Sequence, residues 1–188
     1  EQGRIDDRLS LRVLVTGGDK LHRGPTAGVS YKLYNGYGPC ENTICTTQFC
    51  VPPDDSKKRK VSSAPLIGRP NPNVRVYVLD KYLKLAPLGT CGELCVSGPQ
   101  VTRGYLRRAQ KNAERFLTNP FYRDGTDKEL WYNRMYRTGD LVRWTLSGDL
   151  EFVGRADNQV KIRGFRVELG GIETVLLEHD VVKETVVI

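Results

Sequence analysis

The chain has only two histidines, His22 and His179, and one methionine in 188 residues, and its five cysteines never form a C-x-x-C pair. Zinc sites draw on such pairs or on Cys and His at short spacing, so a structural metal of that kind is not expected. No Ser-His or Cys-His arrangement suggests a protein nucleophile. Long hydrophobic runs are also missing: the apolar stretches are strand-sized, too short to cross a bilayer. The N-terminal "EQGRIDDRLS" lacks the apolar centre and small-residue cleavage site of a signal peptide. With 39% hydrophobic and 27% charged residues, the composition is that of a soluble globular protein, and a cytoplasmic location is the default expectation. Reduced, buried thiols are the expected state of Cys40, Cys45, Cys50, Cys91 and Cys95. If the segment around Cys45 and Cys50 is a strand, their odd separation puts them on opposite faces.

Charge is present but not concentrated. The net charge is +7, and the one dense basic run is "KKRK", Lys57 to Lys60. It follows "VPPDDS" and precedes "VSSAP", a loop composition that predicts a solvated tip. A basic nucleic-acid-binding module without catalysis stays open as an alternative, though scattered basic residues argue against it.

Three textures follow one another. "LRVLVTGGD" predicts a buried strand stopped by Gly17 and Gly18, and "SYKLYNGYG" and "TICTTQFCV" predict strands flanking the loop "NGYGPCE". From about Ala64, short alternating runs "VRVYVLD", "GELCVSG", "LVRW" and "LEFVGR" predict a β-rich barrel or sheet. "RAQKNAERFLTN" predicts the one helix there, ended by Asn119 and Pro120. From Asp157, "QVKIRGFRVEL" predicts a hairpin bent at Gly164. Ile172, Val175, Leu176 and His179 then fall at helical spacing, and "ETVVI" opens a strand.

Two loops carry the chemistry. "NGYGPCE" presents one aromatic ring, Tyr37, and one carboxylate, Glu41, beside Gly36 and Gly38. "YRTGDLVRW" reads as a Thr-Gly-Asp turn exposing Asp140, and a carboxylate on a rigid turn suits a pair of adjacent hydroxyls such as a ribose. Arg155, Asp157, Lys161 and Arg163 follow within one short segment, and cations beside such an acid imply a phosphate nearby.

Taken in order, "LRVLVTGGDKL", "NGYGPCE", "GELCVSGPQVTRGYL", "YRTGDLVRW" and "GRADNQVKIRGFRVELGGIE" resemble the successive core motifs of the adenylate-forming, AMP-binding enzymes. Within that superfamily they resemble the adenylation domains of nonribosomal peptide synthetases. The resemblance runs from Leu11 to Glu173 and implies an α/β fold. Residues 1–156 would be the C-terminal part of the large subdomain, β-rich over about 64–156. Residues 157–188 would be a hinge and the start of a small α+β C-terminal subdomain, cut off by the chain end.

The resemblance also implies roles. Tyr37, with Gly38 beside it, would stack on adenine; Glu41 would hold Mg2+; Asp140 and Arg155 would bind the ribose; Gly17, Gly18 and Asp19 would form the turn beside the base. Asp157 would be the hinge, and Lys161 would face the active site in the second half-reaction. Val15, Gly17, Gly36, Ile44 and Cys45 would line the amino acid pocket, with Ile44 and Cys45 alternatively only strand core. Two glycines among apolar residues leave room for a bulky uncharged side chain. The implied reaction uses ATP to make an aminoacyl adenylate, which passes to the phosphopantetheine thiol of a carrier domain. A stand-alone acyl- or aryl-CoA ligase is the nearest rival.

Departures from the family pattern are Cys40 in place of a usual Thr, Asp19 in place of Glu, and Gly171 where an acid is common. No Ser/Thr/Gly-rich phosphate loop precedes Leu11 and no C-terminal lysine motif follows. These 188 residues alone are therefore expected to be catalytically silent.

Overall fold

A computed structural model describes residues 10–54, 66–123, 130–157, 159–162 and 165–187. The "KKRK" run and the expected bend at Gly164 lie outside them. No helix among the described residues is long and apolar enough to cross a membrane.

The first sheet joins β1 (Val13–Gly17), β2 (Lys32–Tyr37), β3 (Thr47–Val51) and β4 (Arg69–Pro70) in that order. β1 runs parallel to β2, and the other pairs are antiparallel. The chain turns away after β1 at Gly18, whose φ of 92° is left-handed and suits a residue without Cβ. Gly17 is required for a different reason: a Cβ there would sit 2.2 Å from the Gly36 carbonyl oxygen, so the two strands approach too closely for a side chain. The expectation that β1 is buried does not hold. Val13 and Val15, on one face of β1, are 50% and 53% exposed, and β1 is the edge strand of this sheet among the described residues.

The second sheet contains β5 (Arg75–Leu79), β6 (Gly92–Ser97), β7 (Phe116–Thr118), β8 (Arg134–Trp144) and β9 (Leu150–Arg155). β8 is long enough to pair with β6, β7 and β9. β6 is buried on both faces, and its alternation sorts side chains into two clusters. Leu94 and Val96 pack with Ile67, Val78, Tyr136, Val142 and Leu150, while Cys95 packs with Leu79 and Met135. Tyr37 of the first sheet lies against the larger cluster, and backbone bonds between Gly68 and Leu150 tie the sheets together.

The predicted helix is shorter than its sequence suggests. α1 (Ala109–Arg115) gives way at Phe116, which pairs with Tyr136 in β8 and packs its ring against the Tyr105 and Tyr136 rings. Pairing and ring burial outweigh the weak helical preference of so short a segment. The C-terminal hairpin of β10 (Gln159–Ile162) and β11 (Phe165–Glu168) forms as predicted, followed by α2 (Leu169–Leu177). "ETVVI" does not form a strand over its described residues; the Val187 amide donates to Glu173 Oε1 at 3.0 Å instead. The thiols are free but not uniformly buried: Cys95 is buried, Cys45 half-buried, and Cys40, Cys50 and Cys91 are exposed. Cys45 precedes β3, so it does not share a strand with Cys50.

Candidate nucleotide and substrate site

β1 and β2 are parallel and end in register, Gly17 beside Gly36. Their C-terminal ends therefore deliver Gly17, Gly18 and Asp19 next to Gly36, Tyr37 and Gly38. Ligands collect at such ends in α/β sheets, where backbone groups are free of the ladder.

The loop after Tyr37 is pinned at both ends. Cys40–Asn42 form one 3-10 turn behind Pro39. Asn42 Nδ2 donates to Thr46 Oγ1 at 2.8 Å, and the Thr46 amide to the Tyr37 carbonyl at 2.7 Å. Asn71 Nδ2 donates to the Cys45 carbonyl at 2.9 Å, and the Thr102 amide to the Glu41 carbonyl at 2.8 Å. Thr43 and Ile44 complete the loop at φ of 50° and 72°; for a β-branched side chain this is strained backbone, of the kind that binding loops retain. Ile44 is 76% exposed, so the strand-core alternative does not hold for it.

Glu41 is buried, and its Oε1 accepts from the Tyr105 hydroxyl at 2.5 Å. The Tyr105 hydroxyl also lies 3.3 Å from that of Tyr136. A carboxylate is a hard oxygen donor, and Mg2+ takes one or two carboxylates and completes its shell with phosphate and water. No group of three or more His, Cys, Asp or Glu residues among the described residues offers an all-protein metal cage. A single buried carboxylate such as Glu41 fits a metal whose remaining ligands come from phosphate and water.

Asp140 is not on an exposed turn, as the sequence suggested. Thr138, Gly139 and Asp140 form a bulge inside β8, opposite Leu94 alone. Gly139 takes a φ of 74°, Thr138 Oγ1 donates to the Leu94 carbonyl at 2.7 Å, and the Asp140 amide donates to Thr138 Oγ1 at 2.9 Å. Glu93 closes the bulge, accepting from the Gly139 amide at 3.0 Å and from Arg137 Nε at 3.0 Å. The bulge turns Asp140 inward, leaving it 8% exposed.

There its Oδ2 accepts a hydrogen bond from the Tyr37 hydroxyl, and its Oδ1 pairs with Arg155 Nη1 at 2.7 Å. Burial, followed by the Asp140 charge, pushes the Tyr37 phenol well above its usual range. Arg155 also grips Asp157 with both arms of its guanidinium, Nε to Oδ1 at 2.9 Å and Nη2 to Oδ2 at 2.8 Å. Arg115 Nη2 adds a bond to Asp157 Oδ2 at 3.0 Å. Burial favours the protonated acid of Asp157, but the two arginines outweigh it and hold the carboxyl below the ordinary range.

Of the pocket candidates, Val15, Gly36 and Cys45 meet. A Cβ on Gly36 would lie 3.4 Å from Cys45 Sγ and 3.5 Å from Val15 Cγ1. Gln48 Nε2 donates to Cys45 Sγ at 3.4 Å. Ile44, next in the chain to Cys45, is mostly exposed. Asp19 Oδ1 caps the Lys20 amide at 2.7 Å. Lys161 belongs to β10, opposite Arg166, but its side chain lies outside what is described.

Sequence reasoning passed over Tyr105, Tyr136, Glu93 and Arg115. Tyr105, Tyr136 and Glu93 stand inside motifs already singled out; nothing in the sequence marked Arg115.

The family described as AMP-binding enzyme matches residues 1–106. One of the linear gramicidin synthase proteins of Brevibacillus parabrevis is 50% identical over 178 residues, covering 95% of this chain and 2% of that one. Bacitracin synthase 1 of Bacillus licheniformis is 44% identical over 188 residues, 100% of this chain and 3% of that one. This chain thus spans only a small part of the length of either relative. Among solved structures, NpsA-ThdA, an artificially fused adenylation-PCP di-domain NRPS from Klebsiella oxytoca, superposes with a TM-score of 0.71 at 29% identity, covering 92% of this chain and 31% of that one. The chain belongs to the AMP-binding enzyme family. The resemblance to adenylation domains of nonribosomal peptide synthetases is borne out, and the fold is part of the adenylate-forming fold.

Proposed function

We propose that this chain forms part of an amino-acid-activating adenylation domain, with Tyr37, Glu41, Asp140 and Arg155 at its nucleotide site. The convergence of Tyr37 from the first sheet and Asp140 from the second on one part-buried hydrogen bond carries this reading. An aromatic ring and a carboxylate suited to a diol lie side by side at the ends of the parallel strands, as a nucleoside requires.

In this reading the Tyr37 ring lies against adenine, and the Gly17–Asp19 turn lets backbone approach the base. Asp140 accepts from the ribose hydroxyls, oriented by Arg155 and by the bulge. Glu41, fixed by Tyr105, would hold Mg2+. That ion neutralises the phosphate oxygens when bound. An oxygen of the amino acid carboxylate bonds to the α-phosphorus of ATP, and the bond to pyrophosphate breaks. The chain's part is positioning and exclusion of water, with no protein nucleophile. The thiol of a carrier-bound phosphopantetheine then attacks the carbonyl, and AMP leaves. Residues 1–156 act as the large-subdomain part and 157–188 as the segment beyond the hinge at Asp157, with Lys161 serving the second step.

Val15, Gly17, Gly36, Ile44 and Cys45 line the amino acid pocket. The lack of a side chain at Gly36, beside Val15 and the Cys45 thiol, favours a bulky uncharged substrate side chain. The test is amino-acid-dependent exchange of pyrophosphate into ATP by the longest natural chain carrying these residues, together with mass-spectrometric detection of an aminoacyl carrier. Exchange with a bulky uncharged amino acid and loading of the carrier are expected. Transfer to coenzyme A instead of a carrier would overturn the peptide-synthetase part. Absence of exchange with any amino acid would overturn the reading itself.

A further inference from the structure

Helix α1 sits beside the C-terminal hairpin, and none of its residues is buried. Among the described residues, two ion pairs join it to the segment beyond Arg155. Lys111 and Arg115, one helical turn apart on the same face, each reach a carboxylate there. Lys111 Nζ lies 2.9 Å from Glu168 Oε1, and Arg115 Nη2 lies 3.0 Å from Asp157 Oδ2. The two carboxylates are linked through Gln159. Asp157 Oδ1 accepts from the Gln159 amide at 3.3 Å, Gln159 pairs with Glu168 across the β10–β11 ladder, and Gln159 Nε2 donates to Glu168 Oε1 at 3.4 Å. The two cations therefore grip the hairpin at its base from one side. A cleft bounded by Tyr105, Arg108, Lys111, Arg115 and Glu168 lies along the same contact.

We propose that Lys111 and Arg115 form an electrostatic latch that holds the hairpin after Asp157 against α1 and sets how readily it swings away. This deepens the adenylation reading, in which Asp157 is the hinge, and it assigns positioning roles to two residues outside that nucleotide site. An apolar contact would fix the segment; an ionic one at half-exposed side chains is weak enough to open and specific enough to re-form. Arg115 carries the larger share, because its pair is the less exposed, 25% and 33% against 40% and 56% for Lys111 and Glu168.

The test is limited proteolysis of the longest natural chain carrying these residues, with cleavage between Arg155 and Ile162 followed by mass spectrometry. Loss of one such pair is worth a factor of about two to five in the open population, read directly when reclosing outpaces cleavage. Arg115→Ala and Lys111→Glu are expected to speed cleavage by about that factor at low salt. The swap of Lys111→Glu with Glu168→Lys is expected to restore the parent rate. Raising salt to about 1 M shortens the screening length to ~3 Å and is expected to bring parent and variants together. Unchanged cleavage in both single variants, or a swap that fails to restore, overturns the latch whatever the activity. Faster cleavage with rescue, in a protein showing no amino-acid-dependent exchange, supports the latch and removes only the functional reading.

Discussion

Gly36, near the end of β2, and Gly38, in the loop that follows, stand two residues apart, and adding a methyl group to each has opposite consequences. At Gly36 the new Cβ would lie 3.4 Å from Cys45 Sγ and 3.4 Å from the Thr16 carbonyl oxygen, ordinary contact distances. Its φ is not left-handed, so Gly36→Ala is expected to leave stability unchanged or raised by roughly 0.5–1 kcal/mol, the usual advantage of Ala over Gly in a strand. At Gly38 the Cβ would lie 2.5 Å from the Ile44 carbonyl oxygen and 2.6 Å from the Thr46 amide nitrogen. Backbone must move there, and Gly38→Ala is expected to cost about 1–3 kcal/mol, the range for overpacking. If Gly36 also floors the substrate pocket, its methyl group fills space a large substrate needs. One methylene of misfit is worth about 1–3 kcal/mol, or roughly 10- to 200-fold in kcat/KM. Pyrophosphate exchange over a panel of amino acids, with thermal unfolding of both variants, tests this. Gly36→Ala is expected to lose bulky substrates by that factor while small ones persist. An unchanged substrate ranking in a stably folded Gly36→Ala protein would refute the pocket assignment.

Further outcomes follow from the thiols and the acid cluster. Burial, followed by the nearby Glu93 charge, pushes the Cys95 thiol up to about 12, so it is expected to resist iodoacetamide at pH 8. Exposed Cys40, Cys50 and Cys91 are expected to react, as peptide mapping would show. Asp157 is held below its ordinary value of 3.8 in the folded chain. Its contribution to stability is therefore complete above that value and lost as pH falls through the lower, folded one. The contacts of Asp157 with Arg115 and Arg155 are expected to survive at pH 5 and fail only under strong acid. Release of the hairpin between pH 7 and 5, seen by hydrogen exchange, would count against them.

Elements set by local pattern were readable from the sequence; those set by a distant partner were not. β1 and the strands around "NGYGPCE" follow from apolar runs stopped by glycine, and the C-terminal hairpin from its alternation. The bulge at Thr138–Asp140 depends on the Leu94 carbonyl and the Glu93 carboxylate, on a strand more than 40 residues earlier, so "TGD" read as a turn. The early end of α1 depends on Phe116 finding Tyr136 across β7 and β8. Candidate residues were legible where a motif named them, as for Tyr37, Glu41, Asp140 and Arg155. That Tyr37 and Asp140 bond to each other needed the fold, as did the grip of Arg115 on Asp157.

The most direct test of the nucleotide site compares ATP with 2′,3′-dideoxy-ATP by calorimetry, in the parent protein and in Asp140→Asn. Hydrogen bonds to a charged carboxylate are worth about 1.5–3 kcal/mol each, so removing the ribose hydroxyls is expected to weaken binding to the parent by at least about tenfold. In Asp140→Asn the two nucleotides are expected to bind almost equally. If the hydroxyls matter as much in Asp140→Asn as in the parent, Asp140 does not hold the ribose, and the site built around Tyr37 and Asp140 is not the nucleotide site.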